Sequence, residues 1–371
     1  MNITRLSALL LFTMMLIPIG ASAHCKGKHT GNHEHCVDDG NGSGEYFGSE
    51  GVKFLELSGD PNFDYHITGT SVDDTINAGS GRDLIEGGAG RDEITALGGN
   101  DEIHGGDGHD IIDGGEGTDL LLGGAGDDTL IFSLGGDTYD GGAGYDQLKF
   151  QTAVTVTVDI DSETYVVTTT DGSGAQVTES GTWRNIESIG GGPGNDFITG
   201  DAIARNHIGG GEGDDFIVSG AGDDKLGGGI GNDIIYGGDG DDVISGSGGA
   251  DRMYGEGGND ILEGREEGWD PELDDIMSGG DGCDVFEFRR QFGVDTVLDF
   301  GFPYNEPACD TINLPYRATY KLDFNDLNIN VVGDDIVIDF WIRKHGGNGG
   351  TIILKDAFLN IGFIDESSFT F

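Results

Sequence analysis

The chain has 371 residues, with 68 Asp and Glu against 19 Lys and Arg for a net charge of −49, and 71 glycines against 7 prolines. So negative a balance excludes binding to a nucleic-acid backbone, whose phosphates would be repelled. It leaves open either a disordered Gly/Asp-rich polymer or an acidic fold held together by cations.

In chain order, residues 1–23 read as a secretory signal peptide: Arg5 supplies the charged start, Leu6 to Ile19 is almost wholly apolar, and Ala21-Ser22-Ala23 fits a cleavage site. The apolar run is shorter than the ~20 residues that span a bilayer. Nothing later is apolar enough to cross one, so the expectation is an exported bacterial protein, secreted by way of a periplasmic intermediate, with no transmembrane segment in the mature chain. Residues 24–45 form a His-rich leader. HCKGKHTGNHEHC (24–36) sets His24 beside Cys25 and His29, His33 and His35 between Cys25 and Cys36, a cluster that would suit Zn²⁺, Cu²⁺ or Ni²⁺. In an oxidising compartment a solvated leader closed by a disulfide is the plainer account. Cys283 and Cys309 would then pair, although four cysteines allow three connectivities.

Residues 46–149 open with short strand-like stretches (52–68) and then repeat one nonapeptide without losing register. Its clearest copies are GGAGRDEIT (87–95), GGDGHDIID (105–113), GGEGTDLLL (114–122) and GGAGDDTLI (123–131). Asp74, Asp83, Asp92, Asp101, Asp110, Asp119, Asp128, Asp137 and Asp146 occupy the sixth position, and an aliphatic residue or tyrosine follows two places later. A gap at 150–190 loses the glycines and alternates Val154, Val156 and Val158, then Tyr165 and Val167. This is strand grammar, with a DGSG turn at 171–174 and Trp183 expected in the core. A second array, 191–287, repeats the pattern through Asp196, Asp215, Asp224, Asp233, Asp242, Asp251, Asp260, Asp275 and Asp284. Its unit at 200–209 has ten residues and carries Asn206 where an aspartate is expected, and GREEGW (264–269) is a six-residue insertion. Residues 288–371 change composition again. GDDIVIDFWI (333–342) and TIILKDAF (351–358) flank a GGNGG turn and read as a hairpin in a C-terminal β cap.

A self-similar period of this kind means a solenoid whose units cannot fold alone. Random Gly/Asp enrichment would not hold an aliphatic residue two places after the aspartate in nearly every unit, which argues against disorder. One inward side chain per nonapeptide contributes about 1.5–3 kcal/mol when buried, against roughly 9–18 kcal/mol to order nine backbones. If two units make one coil, aspartates eighteen residues apart stack at ~4.8 Å and repel by roughly 3–4 kcal/mol at an effective dielectric near 20. A cation must offset that repulsion. Hard carboxylate and carbonyl oxygens with no soft ligand point to Ca²⁺ rather than to zinc or copper.

Residues 69–149 and 191–287 resemble the haemolysin-type calcium-binding (RTX) repeat. The resemblance implies an all-β, right-handed parallel β-roll in two arrays, here with an interposed β segment and a C-terminal β cap. It also implies multiple Ca²⁺ ions held between coils by sixth-position aspartates and turn carbonyls. On this sequence those aspartates are Asp92, Asp110, Asp128 and Asp146 on one edge and Asp83, Asp101 and Asp119 on the other. In the second array they are Asp215, Asp233 and Asp251, with Asp224, Asp242 and Asp260. Units 69–77, with Val72 for the third glycine, and 132–140, opening FSLGGD, depart from the pattern and are expected to lack a metal ion. The C-terminal region, ending Asp365-Glu366 and Phe369-Thr370-Phe371, resembles that of RTX proteins exported by type I systems, which normally lack an N-terminal signal peptide. The two addresses conflict, and the N-terminal one is preferred.

No catalytic residue is assigned. The chain has no HExxH, no GxSxG and no phosphate loop. Paired carboxylates at glycosidase spacing carry no information in so acidic a chain. The expectation is a non-enzymatic, calcium-folded protein acting on an unidentified extracellular or cell-surface partner. The alternatives are a secreted enzyme or toxin-related protein acting on polysaccharide through 150–190 and Trp269 (beside Glu266, Glu267 and Asp270), and transition-metal capture by the leader.

Overall fold

The structure, a computed structural model, describes residues 28–29, 35–38, 43–47, 55–56, 64–151, 155–170, 176–202, 205–264, 274–288, 294–300, 309–314, 327–332, 335–341, 349–355 and 369–370. The signal peptide, Cys25, His24, His33, the DGSG turn, Trp269 with insert residues 265–269, residues 346–348 of the GGNGG turn and Asp365-Glu366 lie outside the described residues, as do the side chains of His29 and His35.

The described residues are all β, and alternate nonapeptides fall on two facing sheets. One sheet takes Thr75–Gly79, Glu93–Gly99, Ile111–Asp113, Thr129–Phe132 and Gln147–Phe150 as parallel neighbours. The other takes Asp64–Thr70, Leu84–Ala89, Glu102–Asp107, Leu120–Ala125 and Thr138–Ala143. Pairing eighteen residues apart stacks like on like, so Ile76, Ile94, Ile112, Leu130 and Leu148 form one buried row and Ile67, Ile85, Ile103, Leu121 and Tyr139 the other. This is the parallel β-roll. Its strands run longer than the three residues around the aliphatic, because first- to third-position residues also pair, as in Gly88↔Gly106 and Gly124↔Gly142. Glycine is required there: a Cβ on Gly106 would collide with the backbone of Gly88, and its φ is +117°.

The faults in the repeat are absorbed without loss of register. Ile198 pairs with Ile217, a spacing of 217 − 198 = 19, across the ten-residue unit. Met253 pairs with Met277, a spacing of 277 − 253 = 24, so the ladder keeps its register across the insertion.

Segment 155–184 enters one sheet only. Thr155–Asp159, Thr164–Thr170 and Gln176–Arg184 form an antiparallel meander. Its outer strands join Thr138–Ala143 (Tyr139↔Trp183) and Phe197–Thr199 (Val158↔Ile198) in parallel. The facing sheet passes directly from Leu148 to Ile189. Three strands therefore stand where the regular roll has one, and the surplus interior is filled by large rings. Tyr165 stacks on Trp183 at 6.0 Å, and Phe132 packs on Phe150 at 4.6 Å and edge-on to Tyr165 at 5.3 Å. Trp183 is buried in the core.

At the C-terminal end, Leu327–Val332, Asp335–Trp341 and Gly349–Leu354 make an antiparallel meander whose last strand pairs in parallel with Val294–Val297. This occupies an edge that would otherwise expose unpaired backbone groups. The Cys283–Cys309 disulfide ties this end to the second array.

Candidate metal centre

Each sixth-position aspartate follows a tight turn and is buried with the eighth-position aliphatic; Asp92, Asp110, Asp128, Asp233 and Asp260 are at most 1% exposed. The carboxylates do not splay outwards. Apart from Asp74 and Asp196, Oδ1 of each accepts from the backbone N–H of the sixth-position residue one coil earlier. Asp74 donates to Asp92, Asp92 to Asp110, Asp110 to Asp128 and Asp128 to Asp146, all at 2.8 Å. The opposite edge runs Asp83 to Asp101 at 2.7 Å and Asp101 to Asp119 at 2.8 Å. In the second array Asp215, Asp233 and Asp251 are linked in the same way, as are Asp224, Asp242 and Asp260.

The other oxygen has no partner. Oδ2 of Asp92, Asp101, Asp110, Asp119, Asp128, Asp146, Asp215, Asp224, Asp233, Asp242, Asp251 and Asp260 is buried and unbonded. In most units it faces a notch beside a first-position glycine, although Ala96 and Ser219 hold that position beside Asp101 and Asp224. A Cβ on Gly105 would lie 2.5 Å from the Gly123 carbonyl oxygen and 2.6 Å from Asp110 Oδ2, and one on Gly87 would lie 2.5 Å from Gly105 O and 2.8 Å from Asp92 Oδ2. At Gly87 and Gly105 two acceptor oxygens from consecutive coils thus converge with no donor between them, whereas beside Asp224 the Ser219 hydroxyl donates to the Gly237 carbonyl. A buried anionic oxygen in that state is costly, and a divalent cation preferring oxygen donors is the group that fits. Among the described residues no three His, Cys, Asp or Glu side chains converge, so carbonyls would have to complete any coordination shell.

A family model described as the RTX calcium-binding nonapeptide repeat matches residues 68–103, 95–130, 114–148, 187–202, 205–235 and 227–262. These are RTX calcium-binding repeats. No curated relative matches the chain. Among solved structures, the AlgE6R3 subunit of the Azotobacter vinelandii mannuronan C5-epimerase is 26% identical over 40% of this chain and 78% of its own, with a TM-score of 0.26. The extracellular lipase LipA of Serratia marcescens is 17% identical over 86% of this chain, with a TM-score of 0.20, and the chain spans 42% of that lipase. At those scores neither likeness bears on activity.

Within the RTX repeats, burial pushes the aspartates up: Asp92 and Asp119 to about 6, Asp101 and Asp128 to about 7, and Asp251 to about 8. The ladder hydrogen bonds pull back, and carboxylates of adjacent coils push further in the same direction as burial.

One sequence-derived candidate stands apart. Both oxygens of Asp83 accept backbone N–H groups, Tyr65 to Oδ1 at 2.7 Å and Gly79 to Oδ2 at 3.2 Å. Conversely Asp196 and Asp284, outside the sequence-derived set, carry the same unbonded Oδ2. At the first break Glu187 Oε2 takes the Asp146 N–H at 2.9 Å, in place of a sixth-position aspartate.

A second ladder escaped the sequence reading, which took the fifth position as any residue. Fifth-position Asp and Asn side chains accept from the N–H one coil later: Asp73 from Arg91 at 2.9 Å, Asp127 from Tyr145 at 3.0 Å, Asp214 from Asn232 at 2.8 Å and Asp241 from Asn259 at 2.7 Å. Its signal was the recurrence of Asp or Asn at 73, 100, 127, 195, 214, 223, 232, 241, 259 and 274.

Proposed function

We propose that this chain is an exported, non-enzymatic calcium-binding β-roll protein that folds on Ca²⁺ and acts outside the cell as a surface, matrix or adhesion component. The observation that carries the calcium part is the column of buried, unbonded Oδ2 atoms facing first-position carbonyls of the next coil. The ions would be held by Asp92, Asp101, Asp110, Asp119, Asp128, Asp146, Asp215, Asp224, Asp233, Asp242, Asp251 and Asp260 together with turn carbonyls, and we add Asp196 and Asp284. Asp83 is the weakest of the sequence-derived set because its oxygens already have donors. Calcium supplies positive charge between stacked carboxylates, so its binding free energy is folding free energy. The extracellular role rests on the repeat type and on the leader at 1–23.

Far-UV circular dichroism of the full chain in chelator, then in millimolar Ca²⁺, tests the coupling. The expected outcome is a coil-like spectrum that converts cooperatively to a β spectrum. Identical folded spectra in both conditions would refute it.

A further inference from the structure

In a regular unit the aspartate Oδ2 and the first-position carbonyl of the next coil face one notch, two acceptors awaiting a positive group. Two units flanking the inserted meander resolve this with the chain's own donors. In the first, Asp137 Oδ1 takes the usual ladder bond from Asp119 N–H at 2.8 Å. Its Oδ2 is saturated by the hydroxyls of Ser133 at 2.8 Å and Tyr139 at 3.0 Å. The same turn is clasped from the meander by Glu179, whose carboxylate accepts from Gly135 N–H at 2.9 Å and Gly136 N–H at 2.6 Å.

In the second, Asn206 replaces the aspartate and puts N–H donors where the others put an oxygen. Asn206 Nδ2 lies 3.2 Å from Ser219 O, 3.2 Å from Asp224 Oδ1 and 3.2 Å from Asp201 O. Ser219 is the first-position residue of the next coil, and Asp224 its sixth. The amide therefore donates into the oxygen set that the regular units leave without a donor. Asn206 N–H still donates to Asp224 Oδ1 at 2.6 Å, so the coil-to-coil ladder continues through it. A dication in that notch would face amide hydrogens and be repelled.

We propose that Asp137 and Asn206 are cation-free joints, at which hydroxyl and amide donors replace calcium, and that these two turns keep their coil-to-coil bonds when calcium is withdrawn. The proposal rests on the calcium reading of the regular units. It makes these two turns calcium-independent points in a roll whose other notches, those of Asp146 and Asp196 among them, take the ion.

Hydrogen-exchange mass spectrometry of the full chain in Ca²⁺ and in EGTA tests it. Peptides covering 133–139 and 205–209 are expected to keep their protection in EGTA, while those covering 87–128 and 228–260 lose theirs. Parallel loss everywhere overturns the joints and leaves the calcium reading intact; no change anywhere overturns the calcium reading and the joints with it. As a second arm, Asn206→Asp restores the repeat. Titration calorimetry is expected to show one additional Ca²⁺ bound, and protection of 205–209 is expected to become calcium-dependent. An unchanged stoichiometry overturns the assignment of Asn206.

Discussion

At the residue scale the two oxygens of a sixth-position aspartate have different work, and substitutions separate them. Asp110→Asn keeps an acceptor for the Asp92 N–H but removes the anion beside the notch. Asp110→Ala removes both and leaves a buried N–H unsatisfied, at a cost of about 1–3 kcal/mol. In a calcium titration followed by circular dichroism, both variants are expected to fold at higher Ca²⁺ than the parent, with the alanine also less stable to urea at saturating Ca²⁺. If the asparagine folds at the parental Ca²⁺ concentration, Asp110 is not a ligand. Second-position residues offer a converse case. Leu97 adopts φ +75° where the neighbouring units use glycine, and it is 52% exposed, so little packing compensates. Leu97→Gly is expected to raise stability by about 1 kcal/mol in urea denaturation with Ca²⁺ present, since a left-handed conformation costs a side chain roughly 1–2 kcal/mol.

At the scale of elements, the repeat explains its own strands but not the meander inserted among them. Tyr139 pairs with Trp183 and Val158 with Ile198, separations that no nine-residue period encodes. Alternation in 150–190 announced strands, yet which strand of the roll each would join was a matter of long-range packing. Trp183→Ala is expected to cost about 3–5 kcal/mol, the range for emptying a large aromatic site, with loss of order concentrated in 155–184. A urea midpoint equal to that of the parent would mean the ring cluster does not support the wedge. The insertion at 264–269 behaves in the opposite way. Because Met253 and Met277 pair across it in unbroken register, deleting six residues from 265–273 should return the spacing to eighteen and change stability by no more than about 0.6 kcal/mol.

At the scale of the whole molecule, charge and fold are coupled through protons as well as metal. In the absence of calcium Asp92, Asp101 and Asp251 are pushed to about 6, 7 and 8, above the ordinary 3.8. Raised values mean that the folded chain binds more protons, so the stability they contribute is complete below about pH 4 and is lost as pH rises through 6 to 8. In chelator the roll is therefore expected to be more ordered at pH 5 than at pH 8 by circular dichroism. With calcium the dependence reverses, because the ion competes with those protons: the Ca²⁺ midpoint should fall as pH rises from 6 to 8. A midpoint independent of pH over that range would count against buried carboxylates as the ligands.

The period by itself determined the roll, the inward column of aliphatics and the aspartate column, because each unit must place the same residue types against copies of itself one coil away. It equally disclosed the units at 69–77, 132–140 and 200–209 as irregular. Only the tertiary structure decided what became of them. Whether an acidic notch takes a cation depends on which donors reach it, and those donors (Ser133, Tyr139 and the Asn206 amide) are identified by coil-to-coil contact rather than by spacing. Glu179 could not have been read as a partner of Gly135 and Gly136 for the same reason: it arrives from a strand more than forty residues on, placed by packing.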